Sequence, residues 1–416
     1  MPNVLIVAYY FPPWGGAGVQ RTLKYVKYLP HFGWQPVVLT ARPEAVSLSD
    51  PTLIGDLAPA QVIHRTPALL LPHALPWRAR NLVTRWLWVT DEQAGWYPYA
   101  VRRATEIIER DGVDAIYTTS TPYTAHLIGL RLKRRFGLPW VADFRDPWVG
   151  NSSLKLPTAW HRRRIEHWER QVVTAADRVT VVSDPMAQTL RDAYPELDAR
   201  RFLTLPNGYD RDDFAQATPL GVDPDRMTIV YNGSFYGQRT SLPFLQALQA
   251  VLDQGQIPRQ AVRVRFVGNV GQVTADQVQA LGLSDVAELT GYVSHRESIG
   301  YILGADVLLL VIAPGPGSEG VLTGKIFEYL AASKPILALV PPSAAANLVR
   351  ESRSGVLVDP EDVPAIAAQL AALFQQWQRN DLVGHSDPLV VTRFDRQRLA
   401  AMLAGALDEI ASSHEG

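Results

Sequence analysis

The sequence predicts an α/β protein with two doubly wound parallel sheets, and three observations support this fold class. The chain has 416 residues, which is more than one hydrophobic core usually organises. Short apolar runs alternate with helical periodicities through both halves, as in parallel sheets built from βα units. A Pro-Asn-Gly turn at 206–208, followed by the polar run Asp210–Asp213, is typical of a linker. We therefore predict domains at 1–206 and 207–393, with a C-terminal helix at 394–412 that completes the first.

The composition excludes several classes of protein. Apolar residues make up 47% and charged residues 19%, as in ordinary folded domains. The absence of cysteine excludes disulfides, thiol nucleophiles and cysteine–metal sites. The apolar N-terminus lacks a basic leader and a cleavage site, and prolines and glycines interrupt it after Phe11. It is therefore interpreted as a strand rather than a signal peptide or membrane span, and we expect a cytoplasmic protein.

The charge is distributed unevenly between the two halves. Residues 1–205 carry 25 basic and 18 acidic side chains, and residues 206–416 carry 15 and 23, which gives net charges of +7 and −8. An acidic half argues against nucleic acid as a partner. The basic half would suit an anionic acceptor or an anionic membrane surface, although uneven charge without a function is also common.

The first strand and its loop have the pattern of a nucleotide-type βα unit. Val4–Tyr9 is a continuous apolar run, the loop at 12–18 holds three glycines, and Val19–Leu29 has helical periodicity. Trp34–Thr40 is the second strand. The loop does not match the dinucleotide fingerprint G-x-G-x-x-G, which disfavours a dinucleotide oxidoreductase.

Further strands and helices are predicted along both halves, whereas residues 41–98 are expected to form helices and loops. The other predicted strands are Ala115–Thr118, Pro139–Asp143, Arg178–Ser183, Leu203–Leu205, Met227–Tyr231, Val262–Val267, Val286–Thr290, Val307–Ile312, Pro335–Val340 and Gly355–Val358. The other predicted helices are Val101–Arg110, Tyr123–Phe136, 157–175, Pro185–Ala193, Leu242–Leu252, Ser298–Leu303, Val363–Trp377 and Arg396–Ile410. His126 falls within a helix and is interpreted as structural.

The stretch Gly315–Pro335 has the features of an anion-binding segment. A glycine-rich loop leads into a helix with Thr323 as its expected N-cap, which offers backbone amides and the positive dipole end to a phosphate. Lys325 and Glu328 lie on neighbouring positions of the first turns, where they could bind phosphates and ribose hydroxyls. The alternative is an ordinary helix N-terminus with a solvated Lys–Glu pair.

Five motifs follow one another along nearly the whole chain. They are Phe11–Arg21 (FPPWGGAGVQR), Ala142–Trp148 (ADFRDPW), Pro206–Asp210 (PNGYD), Tyr231–Tyr236 (YNGSFY) and Gly324–Ala331 (GKIFEYLA). Together they resemble the retaining glycosyltransferases of family 4. The resemblance implies the GT-B fold, in which two Rossmann-like domains face each other across a cleft. It also implies that the donor nucleotide binds mainly to the C-terminal domain and the acceptor to the N-terminal one.

The resemblance implies phosphate-binding roles for two glycine loops and two cations. Gly15 and Gly16 would approach the donor diphosphate from the first domain, because a glycine turn permits close backbone approach. The family carries a basic pair in the loop that here contains Gly233 and Ser234. Arg239 is the only cation of that loop, so Arg239 and Lys325 are expected to neutralise the diphosphate. The alternative for Arg239 is a surface arginine at a helix start.

The acidic motif of the family is only partly present. Glu328 matches its second glutamate, which implies ribose binding, whereas Gly320 stands where the first is expected and Glu319 precedes it by one residue. Either Glu319 reaches the sugar through a one-residue shift, or nearby backbone amides replace it. The segment after Gly291 corresponds to the one that contacts the nucleobase, although packing would also explain it. The expected donor-binding residues here are Tyr292, Val293, Glu319, Gly320, Val321, Leu322, Thr323 and Glu328.

Arg145 and Asp146 form a second departure from the family. Many relatives have a histidine at the position of Arg145, and a permanently charged arginine cannot act as a general base. Arg145 is instead expected to stabilise the leaving diphosphate, with Asp146 orienting Arg145 or an acceptor hydroxyl. The alternative is an Arg–Asp pair that braces the loop.

The implied activity is retaining transfer of a sugar from a nucleotide-sugar donor to a hydroxyl of a glycan or lipid-linked acceptor, in polysaccharide or glycoconjugate biosynthesis. The leaving phosphate oxygen would take the acceptor proton while the protein positions both substrates. No metal or other cofactor is expected, because the pairs Asp210/Asp212 and Asp223/Asp225 lie in linker-like segments. Two rivals stay open: a catalytically inactive GT-B partner protein, and a sugar-nucleotide epimerase on the same fold.

Basic and aromatic clusters raise the hypothesis of peripheral membrane contact. Arg131–Arg135, Arg162–Arg164 and tryptophans between 77 and 96 could dock on anionic lipid that carries the acceptor. Solvated helix faces are the alternative.

Overall fold

The computed structural model describes residues 1–43, 48–69, 86, 89–151, 154, 156–235, 240–315 and 318–414. The chain forms two compact units. Unit 1 comprises Met1–Pro206 with Arg396–Gly416, and unit 2 comprises Asn207–Asp395. Each unit holds one parallel sheet with helices on both faces, which confirms the predicted pair of doubly wound α/β domains.

All strand pairs within the two described sheets are parallel. Unit 1 contains β1 (Asn3–Val7), β2 (Gln35–Ala41), β3 (Val62–Thr66), β4 (Ala115–Thr119), β5 (Trp140–Phe144), β6 (Arg178–Val181) and β7 (Phe202–Thr204). Unit 2 contains β8 (Met227–Asn232), β9 (Val262–Val267), β10 (Ala287–Gly291), β11 (Val307–Val311), β12 (Ile336–Leu339) and β13 (Gly355–Val358). The orders are β3-β2-β1-β4-β5-β6-β7 and β10-β9-β8-β11-β12-β13. The strand order therefore reverses at β1/β4 and at β8/β11, the positions where such sheets bind ligands.

Helices connect the strands and cover the sheets. Along the chain they are α1 (Ala17–Tyr28), α2 (Tyr97–Asp111), α3 (Thr124–Phe136), α4 (Ala159–Ala175), α5 (Asp184–Ala193), α6 (Arg211–Gln216), α7 (Leu242–Asp253), α8 (Gly271–Ala280), α9 (His295–Leu303), α10 (Gly324–Ala332), α11 (Ala344–Ser352), α12 (Val363–Gln378), α13 (Pro388–Val391) and α14 (Arg396–Ser412). Within the described part of the chain, none of the helices is long and apolar enough to cross a bilayer.

The core of unit 1 lies in two layers because β1 is buried on both faces. Val4 and Ile6 pack into one hydrophobic cluster and Leu5 and Val7 into the other, all without solvent exposure. The continuous apolar run in the sequence thus reflects a central parallel strand.

The C-terminal helix α14 returns to unit 1 and packs beside α1 in the same cluster as Val4. Leu399, Leu403 and Leu407 are its buried leucines. The indole of Trp34 also donates a hydrogen bond to the Asp408 carboxylate at 2.8 Å. The last helix therefore belongs to the core of the first unit.

The structure differs from the sequence prediction in three places. Val62–Thr66 is the edge strand β3, where helices and loops were expected, because its alternation is obscured by polar residues and only Thr66 is buried. The supposed linker at Asp210–Asp213 enters the short helix α6, which Asp210 caps by accepting from the Asp212 amide. Helices α8 and α11 were not predicted. Interspersed glutamines give α8 a weak apolar periodicity, whereas α11 is amphipathic but extends over only nine residues.

Candidate functional site

Gly233 and Lys325 meet at the carboxyl end of β8 in unit 2. Gly233 follows β8 with φ of 126°, in the region that favours glycine. A Cβ at this position would lie 2.8 Å from the Lys325 ammonium nitrogen. The residue must therefore be glycine both for its backbone conformation and for the close approach of Lys325.

Tyr231 fixes the Lys325 ammonium against this loop. Lys325 Nζ donates to the Tyr231 hydroxyl at 2.8 Å and lies 4.0 Å from the ring centroid, a cation–π distance. Tyr231 is buried, stacks on Phe235 at 4.3 Å, and donates its own hydroxyl proton to the Ser234 carbonyl at 3.2 Å. The result is a positioned cation beside the backbone of Gly233 and Ser234.

Thr323 stands at the N-cap of α10, as the sequence predicts, with extended φ and ψ of −73° and 146°. Its hydroxyl makes no capping hydrogen bond, and Thr323 Oγ1 is buried without a hydrogen-bond partner among the residues described. A buried hydroxyl without a hydrogen-bond partner costs free energy. A bound ligand could supply the missing partner. The first turn of α10 adds backbone amides and the positive end of the helix dipole.

Glu328 lies one turn further along α10 and contacts a histidine that sequence reasoning missed. His295 Nε2 is 3.0 Å from Glu328 Oε1, and His295 Nδ1 is 3.7 Å from the Asp213 carboxylate. The sequence carries little indication of this contact, because a single histidine after a strand belongs to no recognisable motif. The sheet topology alone brings α6, α9 and α10 together.

The loops after β8, β9 and β10 approach one another through glycine backbones. A Cβ on Gly268 would lie 2.6 Å from the Gly233 carbonyl oxygen, and the Gly268 amide donates to the Gly291 carbonyl at 2.9 Å. Tyr292 follows with 40% of its surface exposed, whereas Val293 is partly buried against the core. The predicted nucleobase segment therefore lies beside the glycine of the predicted phosphate loop.

The segment before α10 is partly exposed and partly packed against the core. Ser318–Gly320 form a single 3₁₀ turn in which Glu319 is exposed, and within the described part of the chain its carboxylate contacts no other side chain. Val321 and Leu322 pack partly against the apolar cluster beneath them. The predicted contact of Glu319 or the Gly320 amide with a donor sugar stays a prediction.

In unit 1 the first glycine loop packs against Arg145. Gly16 caps α1 with φ of 91°, a conformation that favours glycine, and the Gly15 amide donates to the Leu48 carbonyl at 2.9 Å. A Cβ on Gly18 would lie 3.3 Å from Arg145 Nη1, so the helix start and the arginine are in close contact.

Arg145 uses its guanidinium to hold loops in place. It donates to the carbonyl oxygens of Gly18 and Ser120, and to that of Thr121 at 2.9 Å. Over the described residues, no hydrogen bond or ion pair joins Arg145 to Asp146, which is exposed. Three carbonyls thus hold the Arg145 guanidinium, and the charge of Asp146 lies near enough to act on it. The expectation that Asp146 orients Arg145 or an acceptor hydroxyl stays a prediction. These contacts favour a structural role for Arg145 over direct stabilisation of a leaving group.

A buried ion pair that sequence reasoning missed lies beneath this loop. Arg21 Nη2 is 2.7 Å from Asp143 Oδ1 and Nε is 3.0 Å from Oδ2, and neither side chain is exposed. Thr119 and Thr180 each donate to Asp143 at 2.7 Å, and Arg21 also donates to the Pro206 carbonyl. Burial raises the pKa of Asp143, but Arg21 and the two threonines outweigh it and lower the pKa to about 2.

His126 lies inside α3 and is fully buried, in agreement with its structural interpretation. Its Nδ1 is 2.8 Å from the Thr118 hydroxyl, and its ring packs 4.4 Å from that of Phe144. Burial lowers the pKa of His126 to about 3, although Asp143 opposes the shift. The imidazole is therefore neutral at physiological pH.

The remaining candidates divide into two groups. Arg239 and the tryptophans at 77 and 88 lie outside the described residues. Asp223 of the discounted carboxylate pairs is 2.7 Å from the Arg226 guanidinium and 3.3 Å from that of Arg263. These ion pairs give Asp223 a structural role.

The comparisons with known proteins agree with both units. Residues 15–208 match the family model described as a glycosyl transferase 4-like domain, and residues 226–376 match that of glycosyl transferases group 1. Among curated proteins, none matches the sequence significantly.

Solved structures share the fold over almost the whole chain. Sucrose-phosphate synthase from Thermosynechococcus elongatus is 17% identical, with 99% of this chain and 100% of that chain covered and a TM-score of 0.71. HepE from Anabaena, solved with UDP and glucose, is 17% identical over 97% and 99% of the two chains, with a TM-score of 0.64. UDP-GlcNAc 2-epimerase from Neisseria meningitidis, bound to UDP-GlcNAc, is 9% identical over 98% and 100%, with a TM-score of 0.57.

The two sheets and the two domain matches define a glycosyltransferase with the GT-B fold. Within that class the chain belongs to the glycosyltransferases that resemble family 4.

Proposed function

We propose that the protein is a retaining hexosyltransferase that moves a sugar from a nucleoside diphosphate donor to a hydroxyl of a glycan or lipid-linked acceptor. One observation carries the proposal. The Lys325 ammonium is fixed by Tyr231 beside Gly233, at the start of a helix whose N-cap hydroxyl on Thr323 has no partner among the described residues. A positioned cation, a glycine backbone and a helix N-terminus together suit a diphosphate.

The donor diphosphate would lie over the start of α10. When the bond between the sugar and the diphosphate breaks, negative charge grows on the leaving oxygens. Lys325, the first-turn amides of α10 and Arg239 would stabilise that charge, and the acceptor hydroxyl proton would pass to the leaving phosphate oxygen. Because the charges are already in position, little reorganisation is needed as the reaction proceeds.

The nucleoside would follow the diphosphate away from Gly233. Glu328 lies one helical turn from Lys325 and would accept hydrogen bonds from ribose hydroxyls. The exposed Tyr292 and the backbone beside Gly291 would contact the base. Solved neighbours bound to UDP or UDP-GlcNAc support a nucleotide-sugar donor.

Unit 1 would bind the acceptor at the carboxyl edge of its own sheet. Asp146 is exposed there, on a loop held by the Tyr123 hydroxyl, which donates to the Pro147 carbonyl at 2.6 Å, and by Tyr123 stacking on Trp148 at 4.8 Å. We propose that Asp146 orients the acceptor hydroxyl while Arg145 maintains the loop around it.

Peripheral contact with an anionic membrane is part of the proposal, with a cytoplasmic location where nucleotide sugars are made. Trp86 and Trp160 are 50% and 52% exposed, and both rings lie about 5 Å from that of His161. The exposed arginines at 162–164 follow on the first turns of α4. Exposed indoles beside arginines are typical of a lipid-facing surface.

Turnover of a donor panel tests the function. The purified protein is incubated with UDP-, GDP-, ADP- and dTDP-sugars, and release of the nucleoside diphosphate is measured with and without glycan acceptors. The Lys325→Ala, Arg239→Ala double variant should release it about 10²–10³-fold more slowly, since both charges act on the leaving group. Lys334→Ala removes a cation just beyond the other end of α10 and should leave the rate unchanged. Wild-type activity in the double variant would contradict the assignment.

The stereochemistry of the product separates the rivals. A retaining transferase keeps the anomeric configuration of the donor, which NMR of the product reads directly. An epimerase, favoured only by the shared fold of the Neisseria meningitidis enzyme, would change a ring carbon of the sugar. An inactive partner protein would bind the nucleotide sugar and never release the diphosphate.

A further inference from the structure

We propose that His295 is a positioning residue that aims Glu328 at the ribose hydroxyls and thereby makes the site prefer ribonucleotides over deoxyribonucleotides. This inference rests on the nucleotide-sugar function proposed above. None of the five motifs contains His295. Its role follows from what its two ring nitrogens contact.

His295 lies between two carboxylates from different helices. Its Nε2 is 3.0 Å from Glu328 Oε1 on α10, and its Nδ1 is 3.7 Å from Asp213 Oδ2 on α6. A carboxylate can only accept, so the proton of the Glu328 contact resides on Nε2. The side chains of His295 and Glu328 are 16% and 18% exposed, which leaves the pair accessible to a ligand.

The backbone that carries the imidazole is fixed. His295 is the first residue of α9, directly after the N-cap Ser294. Ser294 and Glu297 form a reciprocal capping box, with the Ser294 hydroxyl accepting from the Glu297 amide and the Glu297 carboxylate accepting from the Ser294 amide. A rigid helix start holds the ring nitrogen at one place relative to α10.

The contact leaves half of the Glu328 carboxylate for a ligand. His295 occupies Oε1, while Oε2 makes no hydrogen bond to any described residue. Because Lys325 lies one turn earlier on the same helix, a nucleotide with its diphosphate at Lys325 would bring its ribose towards Glu328. A carboxylate held in one rotamer by a histidine can accept from a diol without first losing its own freedom.

A thermodynamic cycle between protein and ligand tests the role. The probes are UDP, GDP and ADP and their 2′,3′-dideoxy counterparts, and dissociation constants are measured by calorimetry. The wild type should bind its preferred ribonucleotide roughly tenfold or more tightly than the dideoxy form, the loss expected for hydrogen bonds to a charged group. The His295→Ala variant should lose most of that preference by weakening only the ribonucleotide.

Two variants control for packing and charge. His295→Gln keeps an amide donor for Glu328 and should recover most of the preference for ribose. Arg296→Ala removes the next side chain, which donates to the Gln216 carbonyl at the end of α6 at 2.7 Å, and should keep the full preference.

The outcomes separate the inference from the function. If His295→Ala weakens ribo and dideoxy forms alike, or leaves the preference intact, His295 is merely structural and the inference is overturned. If the wild type binds none of the nucleotides, the proposed function fails instead. Thermal unfolding of each variant shows whether its fold is retained.

Discussion

Both units place a carboxylate against a nitrogen-bearing side chain near the carboxyl edge of a parallel sheet, but the two pairs differ in access to solvent. Arg21 and Asp143 of unit 1 are fully buried, and four donors saturate the Asp143 carboxylate. His295 and Glu328 of unit 2 keep about a sixth of their side chains exposed, and Glu328 keeps an oxygen without a partner among the described residues. A saturated, buried pair stabilises a fold, whereas an accessible, half-used pair suits a ligand.

The largest expected effect is on the buried pair. Asp143→Asn should lower the free energy of unfolding by about 3–5 kcal/mol, because Arg21 would be left as an uncompensated buried charge. Glu328→Gln should change it by less than about 1 kcal/mol, since that pair is partly solvated. Denaturant unfolding of both variants measures the difference, and equal losses would break the comparison between the two pairs.

Acid should also lower the free energy of unfolding through the Arg21–Asp143 pair, but by a smaller amount. Burial raises the pKa of Asp143, but the opposing effect of Arg21 is larger. The net result is a pKa of about 2 in place of the ordinary 3.8. Because the folded pKa lies below the unfolded one, the contribution is complete above pH 4 and is lost as the pH falls through about 2. It amounts to about 2 kcal/mol. Unfolding measured between pH 5 and pH 2 should show this loss in the wild type, and a comparable loss in Asp143→Asn would assign it to other groups.

The sequence predicts single site residues better than the contacts between distant residues. Lys325 and Gly233 could be predicted because a glycine turn and a helix start each have local patterns. Asp143 could have been suspected, since a carboxylate in a strand buried on both faces needs a cation. Its partner Arg21, and the pairing of His295 with Glu328, depend on the order in which the sheet arranges distant segments. No spacing along the chain encodes that order.

Substitution of one glycine in each unit tests the same difference between the units, with a smaller expected effect. Gly233→Ala would place a methyl group 2.8 Å from Lys325 Nζ and strain a backbone with φ of 126°, so nucleoside diphosphate affinity should fall roughly tenfold as Lys325 moves. Gly18→Ala in unit 1 meets Arg145 at 3.3 Å and should leave nucleotide affinity unchanged. Calorimetric titration of both variants compares them, and a stronger effect at Gly18 would reverse the roles of the two units.

The smallest effect concerns the surface of unit 1. If acceptor and lipid belong to this unit, Trp160→Ala should reduce binding to vesicles with anionic lipid by a few fold while nucleotide affinity stays constant, because an exposed indole adds only modest interfacial energy. Lys325→Ala should do the opposite, with weakened nucleotide binding and unchanged sedimentation. Vesicles of zwitterionic lipid serve as the control, since the arginines at 162–164 would contribute about 1 kcal/mol each only on an anionic surface. Failure of the wild type to sediment with anionic vesicles at low salt would exclude the membrane contact and leave the nucleotide site untouched.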